Sequence, residues 1–137
     1  MGLTLDSSVI IAAERGGETV EKLIERIVGA ANDQEAALSA VGLTELVHGP
    51  YRAPTPERRV RREKFLNKLL ADLTVYPYTR ETALLAGKID GQPQSRGVVI
   101  PFADLLIGAM ALALKFSVLT VNFRHFERIP GLQIVKL

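Results

Sequence analysis

Apolar runs too short to be helices alternate along this chain with stretches of helical periodicity, and that alternation restricts the fold more than any other feature. The short runs are residues 3–5 (LTL), 36–41 (AALSAV), 73–76 (LTVY), 98–100 (VVI), 117–121 (SVLTV) and 132–136 (LQIVK). Between the first two, Val20, Leu23, Ile24, Ile27 and Val28 share one face of a helix over residues 18–29 at the i, i+3, i+4 spacing. After the second, Phe65, Leu66, Leu69, Leu70 and Leu73 form the apolar stripe of a helix over residues 56–72. A crossover helix returns the chain to the same end of the sheet, so successive strands run parallel and helices cover both faces. The expected fold class is α/β, a three-layer α/β/α sandwich around a mainly parallel sheet.

Local signals set the boundaries. Asp6 or Ser7 can cap the helix after the first run, Gly49 and Pro50 would end a short helix over residues 42–49, and Thr79 can cap one carrying Ala83, Leu84, Ala86 and Ile89. Residues 50–57 (PYRAPTPE) and 91–97 (GQPQSRG) read as linkers, Pro101 suits the first position of a helix running through Leu114, and a polar loop follows residue 121. With 137 residues and 47% hydrophobic composition, the chain suits one domain over residues 1–137. The longest apolar stretch, residues 105–114, is about half the ~20 residues a membrane span needs and reads as a buried helix. Cysteine is absent, which excludes disulfides and cysteine-based zinc sites and is compatible with a cytosol. Residues 1–13 lack a basic leader, so no signal peptide is expected and the localisation reads as cytoplasmic, with no membrane partner.

Four polar residues, Asp6, Glu45, Asp104 and Asn122, stand where the apolar runs give way to a turn or a helix. Strand ends of an open α/β sheet meet at one crevice, so three carboxylates and an amide would share a site. Like charges a few ångströms apart do not all ionise without a cation. A donor set of hard oxygens with no thiolate points to Mg²⁺ or Mn²⁺. Each acid also has a plainer role: Asp6 as a turn or cap residue, Glu45 as a solvated helix residue despite its neighbours Leu43, Leu46 and Val47, and Asp104 as a charge favouring its own helix N-terminus. Their joint placement at strand ends is what only the shared-site reading explains.

The four residues belong to the segments LTLDSSVII (3–11), LTELVHG (43–49), IPFADLLIGA (100–109) and TVNFRHFERIPGL (120–132). In that order the segments resemble PIN-domain ribonucleases, and among them the VapC toxins of toxin–antitoxin pairs, over residues 3–135. By that resemblance Asp6 matches the family's first metal-binding aspartate, Glu45 its glutamate, and Asp104 the aspartate opening the D-x-x-I-x-A helix. Asn122 takes a fourth position where many relatives carry aspartate and others asparagine; it keeps an oxygen ligand and loses a charge, which leaves one or two metal ions open. Ser8 and Thr120 fall beside the cluster in the same pattern and would orient ligands or waters. Gly108 stands where relatives often have alanine. The resemblance implies a Mg²⁺- or Mn²⁺-dependent endoribonuclease toxin that cuts structured RNA such as tRNA or ribosomal RNA. It also implies restraint by a cognate VapB-like antitoxin and a homodimer, with the stripe over residues 65–73 serving either as contact or as plain core.

Formal charge is only +2, with a pI near 9.1, so nucleic-acid contact rests on where the cations lie. Arg58, Arg59, Arg61 and Arg62, with Arg52, Lys64 and Lys68, are the densest positive region, which is either a solvated helix face or a set of phosphate contacts. Arg96, Arg124 and Arg128 belong to loops nearer the expected crevice. His48, three residues after Glu45, matches half of a di-iron motif whose other half is missing, and is assigned a structural or peripheral place. His125 lies in the RHFERIPG segment near the site, where contact with phosphate is the alternative to the favoured place beneath the last strand. A haloacid dehalogenase-like phosphatase would want an aspartate where Ser8 stands, and a receiver domain would need an acidic pair and a late lysine that do not occur as a set. The serious alternative is a non-catalytic PIN-fold module that binds RNA or a protein partner without cutting.

Overall fold

The computed structural model describes residues 1–51, 54–92 and 100–137. Its elements are β1 (Gly2–Leu5), α1 (Ser7–Arg15), α2 (Val20–Ala31), β2 (Glu35–Ser39), α3 (Ala40–Tyr51), α4 (Pro56–Leu70), β3 (Thr74–Tyr76), α5 (Arg80–Gly91), α6 (Phe102–Leu114), β4 (Ser117–Thr120), α7 (Phe123–Phe126) and β5 (Ile134–Lys136). Side-chain oxygens start several helices by taking backbone N–H groups that have no partner within the helix. Thr19 accepts from Lys22, Thr55 from Arg58 with Pro56 opening the first turn, and Thr79 from Thr82 as expected. Asn32 ends α2 in the left-handed conformation, at φ 50°.

Among the described residues the strands form one parallel sheet in the order β3-β2-β1-β4-β5. Leu5 pairs with Leu38 on one side and Leu119 on the other. The chain therefore winds outward from β1 in both directions, and the connections diverge at the carboxyl ends of β1 and β4, where a crevice opens. Alternate strand residues face opposite layers. Leu3, Leu5, Leu38 and Leu119 pack with Val9, Leu23, Ile27, Leu66 and Leu69 from α1, α2 and α4. Val118 packs on the other face with Ala86, Ile89, Leu105, Ile107 and Phe126 from α5, α6 and α7. The three-layer α/β/α expectation holds, and Leu66 and Leu69 of the basic helix belong to this core. Among the described residues no helix is long and apolar enough to cross a membrane.

Several boundaries differ from the sequence pattern. The run over residues 36–41 leaves the sheet at Ser39, because the Ser39 hydroxyl accepts the Gly42 N–H at 2.9 Å and starts α3 at Ala40. That helix then continues past Gly49 to Tyr51. The run over residues 98–100 supplies no strand among the described residues, residues 98 and 99 lying outside them. Asp104 is accordingly delivered by the first turn of α6, with Pro101 at the cap position instead of the first helical one. The polar loop after residue 121 contains the one-turn helix α7, anchored by fully buried Phe126.

Candidate active site

Asp6 lies where the extended backbone of β1 turns into α1, in the N-cap position, yet its carboxylate does not cap the helix. Its Oδ2 instead accepts hydrogen bonds from Ser8 Oγ at 2.6 Å and Thr120 Oγ1 at 2.9 Å. The Asp6 N–H donates to the Leu119 carbonyl at 2.9 Å, so the ends of β1 and β4 are tied together around a carboxylate that is 2% exposed. Thr120 also accepts the Asn122 backbone N–H at 2.9 Å. One buried hydroxyl thus fixes both Asp6 and the entry to α7. No described residue donates to Asp6 Oδ1.

Glu45 reaches the crevice from the second turn of α3, where Ser7 Oγ donates to its Oε1 at 3.0 Å. Burial raises its carboxyl above the ordinary range; the Ser7 bond offsets part of this, and the charges of Asp6 and Asp104 raise it further. Asp104 is raised as well, first by burial and then by the charge of Asp6, with the hydrogen bond and charge of His125 pulling the other way. Its Oδ2 lies 2.7 Å from His125 Nδ1. The three acids therefore feel one another across a single crevice. Among the described residues no three Asp, Glu or His side chains already converge as ligands on one point; one oxygen of each acid has a protein partner, and no described residue bonds to the other.

Asn122 stands at the mouth, exposed, at the cap position of α7 with no side-chain cap bond. Its carbonyl accepts the His125 N–H at 3.1 Å. Ser8 and Thr120 lie against Asp6, where the sequence pattern put them. Two residues outside the expected set are also present. Ser7 was weighed only as a cap, and its partner Glu45 is 38 residues away. His125 does not pack beneath the last strand: α7 carries it to the crevice, its side chain 45% exposed. Nothing in the RHFERIPG segment signals that turn of helix. His48 is exposed on α3, in keeping with its peripheral assignment.

The cations divide by their surroundings. Arg124 and Lys136 line an open groove of about 470 Å³ with Thr120, Asn122, Phe123 and His125, and Lys136 Nζ sits 4.5 Å above the Phe123 ring. Arg128 is exposed beside α7. Arg58, Arg59 and Arg61 are exposed on α4; Arg58 and Arg61 line a second open groove, of about 620 Å³, with Arg15 and Phe65. Arg62 is a correction to the basic-face reading. It is half-buried, its Nε donates to Glu14 Oε1 at 2.8 Å and its guanidinium to the Gly49 carbonyl at 3.1 Å, so it ties α4 to α1 and α3. Arg52 and Arg96 lie outside the described residues.

The acids gather at the carboxyl edge of a parallel sheet, where open α/β folds bind their ligands, and comparison with known proteins defines the class: the PIN domain family model matches residues 3–132, and the chain belongs to that family. Within it the resemblance to VapC proteins is borne out. The chain is 31% identical over 135 residues to a "Ribonuclease VapC" from Rickettsia bellii, covering 98% of this chain and 96% of the relative. It is 29% identical over 103 residues to a "tRNA(fMet)-specific endonuclease VapC" from Salmonella typhimurium, covering 75% and 76%. Its fold is that of the VapBC2 structure from Rickettsia felis bound to a promoter DNA fragment, with a TM-score of 0.85, 21% identity and 98% of each chain covered.

Proposed function

We propose that this chain is a metal-dependent endoribonuclease and the toxin of a toxin–antitoxin pair. The observation that carries the reading is the set Asp6, Glu45 and Asp104, coupled by charge at the carboxyl edge of the sheet. Relatives named as ribonucleases, one of them for a tRNA, support structured RNA, tRNA or ribosomal RNA, as the substrate class. Fold neighbours solved as VapBC complexes support a VapB-like antitoxin as partner. Self-association as a homodimer belongs to the same reading.

The donor set fits a hard divalent ion. Every side chain offered is an oxygen, and burial with mutual repulsion raises two of the acids, a cost that a cation would remove. Asp6 and Asp104 would hold Mg²⁺ or Mn²⁺ directly and Glu45 through water, in keeping with an ion that keeps several waters and takes one or two carboxylates. When bound, the ion would supply an acidified water and offset charge on the phosphoryl oxygens. Ser8 and Thr120 hold Asp6 in one rotamer. Glu45, with raised proton affinity and Oε1 engaged by Ser7, takes the proton of the attacking water at Oε2. The neutral amide of Asn122 adds an oxygen without a charge, which favours one ion over two. Arg124 and Lys136 place the RNA backbone beside the acids, and Arg58, Arg59, Arg61 and Arg128 extend the positive surface.

The test is cleavage of total RNA by the purified chain with Mg²⁺ or EDTA, the cut ends being mapped by sequencing. Asp104→Asn removes one charge and little volume, so cleavage should fall by at least ~100-fold while RNA binding persists. RNA left uncut by wild type with either ion, yet bound as tightly as by the variant, would replace this reading with that of the non-catalytic binding module.

A further inference from the structure

We propose that His125 is a positioning residue for Asp104: its Nδ1–H holds Oδ2 so that Oδ1 is the oxygen presented to the divalent ion. The inference rests on the reading of Asp104 as a metal ligand and adds a residue to it. The 2.7 Å separation of Nδ1 and Oδ2 is that of a charge-assisted N–H···O⁻ bond. No described residue donates to Oδ1. A carboxylate free to rotate about its last torsion would present either oxygen in turn; with Oδ2 engaged, one rotamer remains.

The imidazole reaches Asp104 because α7 is seated tightly on α6. Asp104 and Gly108 are one turn apart on the same helix face. A Cβ built on Gly108 would come within 2.4 Å of Ile129 Cδ1 and 3.7 Å of Phe126 Cδ1, so the segment after β4 packs on α6 with Ile129 filling the space that the glycine leaves. Phe126 and Ile129 are 0% and 2% exposed and fix that segment. The His125 N–H is bonded to the Asn122 carbonyl, and the Asn122 N–H to Thr120, whose own hydroxyl donates to Asp6. A single short segment thus orients the carboxylates of both Asp6 and Asp104. The other ring nitrogen, Nε2, has no described partner, and the partly exposed ring lines the groove that holds Arg124 and Lys136.

The experiment is calorimetric titration of the purified, metal-free chain with Mn²⁺, comparing wild type with His125→Leu, His125→Asn and Asp104→Asn. Leu keeps bulk and removes the donor; the Asn carboxamide places an N–H close to where Nδ1–H stands. His125→Leu should weaken Mn²⁺ by about 10- to 100-fold, the usual cost of losing a partner that orients a metal ligand, while His125→Asn stays within about threefold of wild type. A ¹⁵N-histidine spectrum of the metal-free wild type should show a proton on Nδ1, which then cannot itself ligate through that atom. Wild-type affinity in His125→Leu alongside weakened Asp104→Asn, equal loss in Leu and Asn, or a ring protonated at Nε2 alone would each overturn the inference. Unchanged affinity in Asp104→Asn would instead remove the metal-site reading beneath it. Should His125→Leu fail to fold, the spectrum and the His125→Asn titration decide the matter.

Discussion

Thr120→Val tests whether a buried hydroxyl sets the position of Asp6. Valine keeps the branched shape, so the fully buried site gains no cavity. Two hydrogen bonds disappear, the one donated to Asp6 Oδ2 and the one accepted from the Asn122 N–H, each 2.9 Å, together with a longer 3.3 Å contact with Ser8 Oγ. A bond to a charged group contributes about 1.5–3 kcal/mol and a neutral one about 1 kcal/mol, so the expected loss is about 3 kcal/mol. For a chain of this length that lowers the melting temperature by on the order of 10 °C. Thr120→Ser keeps both bonds and deletes one methyl, which costs about 1 kcal/mol and a few degrees. The measurement is thermal unfolding in EDTA, where a bound ion adds nothing to either state. The expected order of stability is wild type, then serine, then valine. A valine variant as stable as the serine variant would mean that Asp6 is held by packing and by Ser8 alone.

Three further outcomes follow from the same geometry. Glu45 and Asp104 hold their protons more tightly folded than unfolded, so in EDTA they stabilise the fold at low pH and that contribution is lost as pH rises through their raised values; Glu45→Gln should therefore melt above wild type near neutral pH, the gap closing toward about pH 4, the ordinary carboxylate range, and a gap independent of pH would refute the shift. Replacing Arg58 and Arg61 by Gln should leave folding intact and flatten the salt dependence of RNA binding by about one unit of slope per lost contact, whereas Arg62→Gln should lower the urea midpoint by breaking its ties to Glu14 and Gly49; an unchanged slope in the first variant would return α4 to a solvated face. Gly108→Ala sets the gain of alanine over glycine inside a helix, about 0.5–1 kcal/mol, against contact with the terminal methyl of Ile129, and in a double-mutant cycle Ile129→Val, which lacks Cδ1, should make the alanine more favourable; additive effects would show that the contact is not what limits the alanine.

The parallel layering was legible because strand and helix periods differ and because each amphipathic stripe has only one face to bury. Asp6 was legible for a related reason, since a residue just beyond the end of a central strand opens onto the crevice, whereas Glu45, in the second turn of α3, and Asp104, on a helix with no described strand before it, were marked mainly by the family resemblance. Boundaries were less legible, since a single Ser39 hydroxyl moves the start of α3 by two residues and no periodicity reports it. Side-chain partners were not legible at all. Ser7 meets Glu45 across 38 residues and His125 meets Asp104 across 21, and both pairings depend on how closely helices approach, a quantity set by packing and not by pattern.

Gly108 shows that dependence most directly. Read as sequence, a glycine where relatives often carry alanine is chemically silent, because neither residue has a functional group. In the folded chain the missing methyl is space that Ile129 Cδ1 occupies, and Ile129 follows His125 by four residues. The separation between α6 and α7 is therefore coupled to the reach of an imidazole toward a carboxylate. An alanine at residue 108 would require Ile129 Cδ1 to shift; where buried neighbours keep that methyl from turning aside, the displacement passes to the backbone four residues from His125, so a substitution remote from every charged group would then alter how tightly a carboxylate is held.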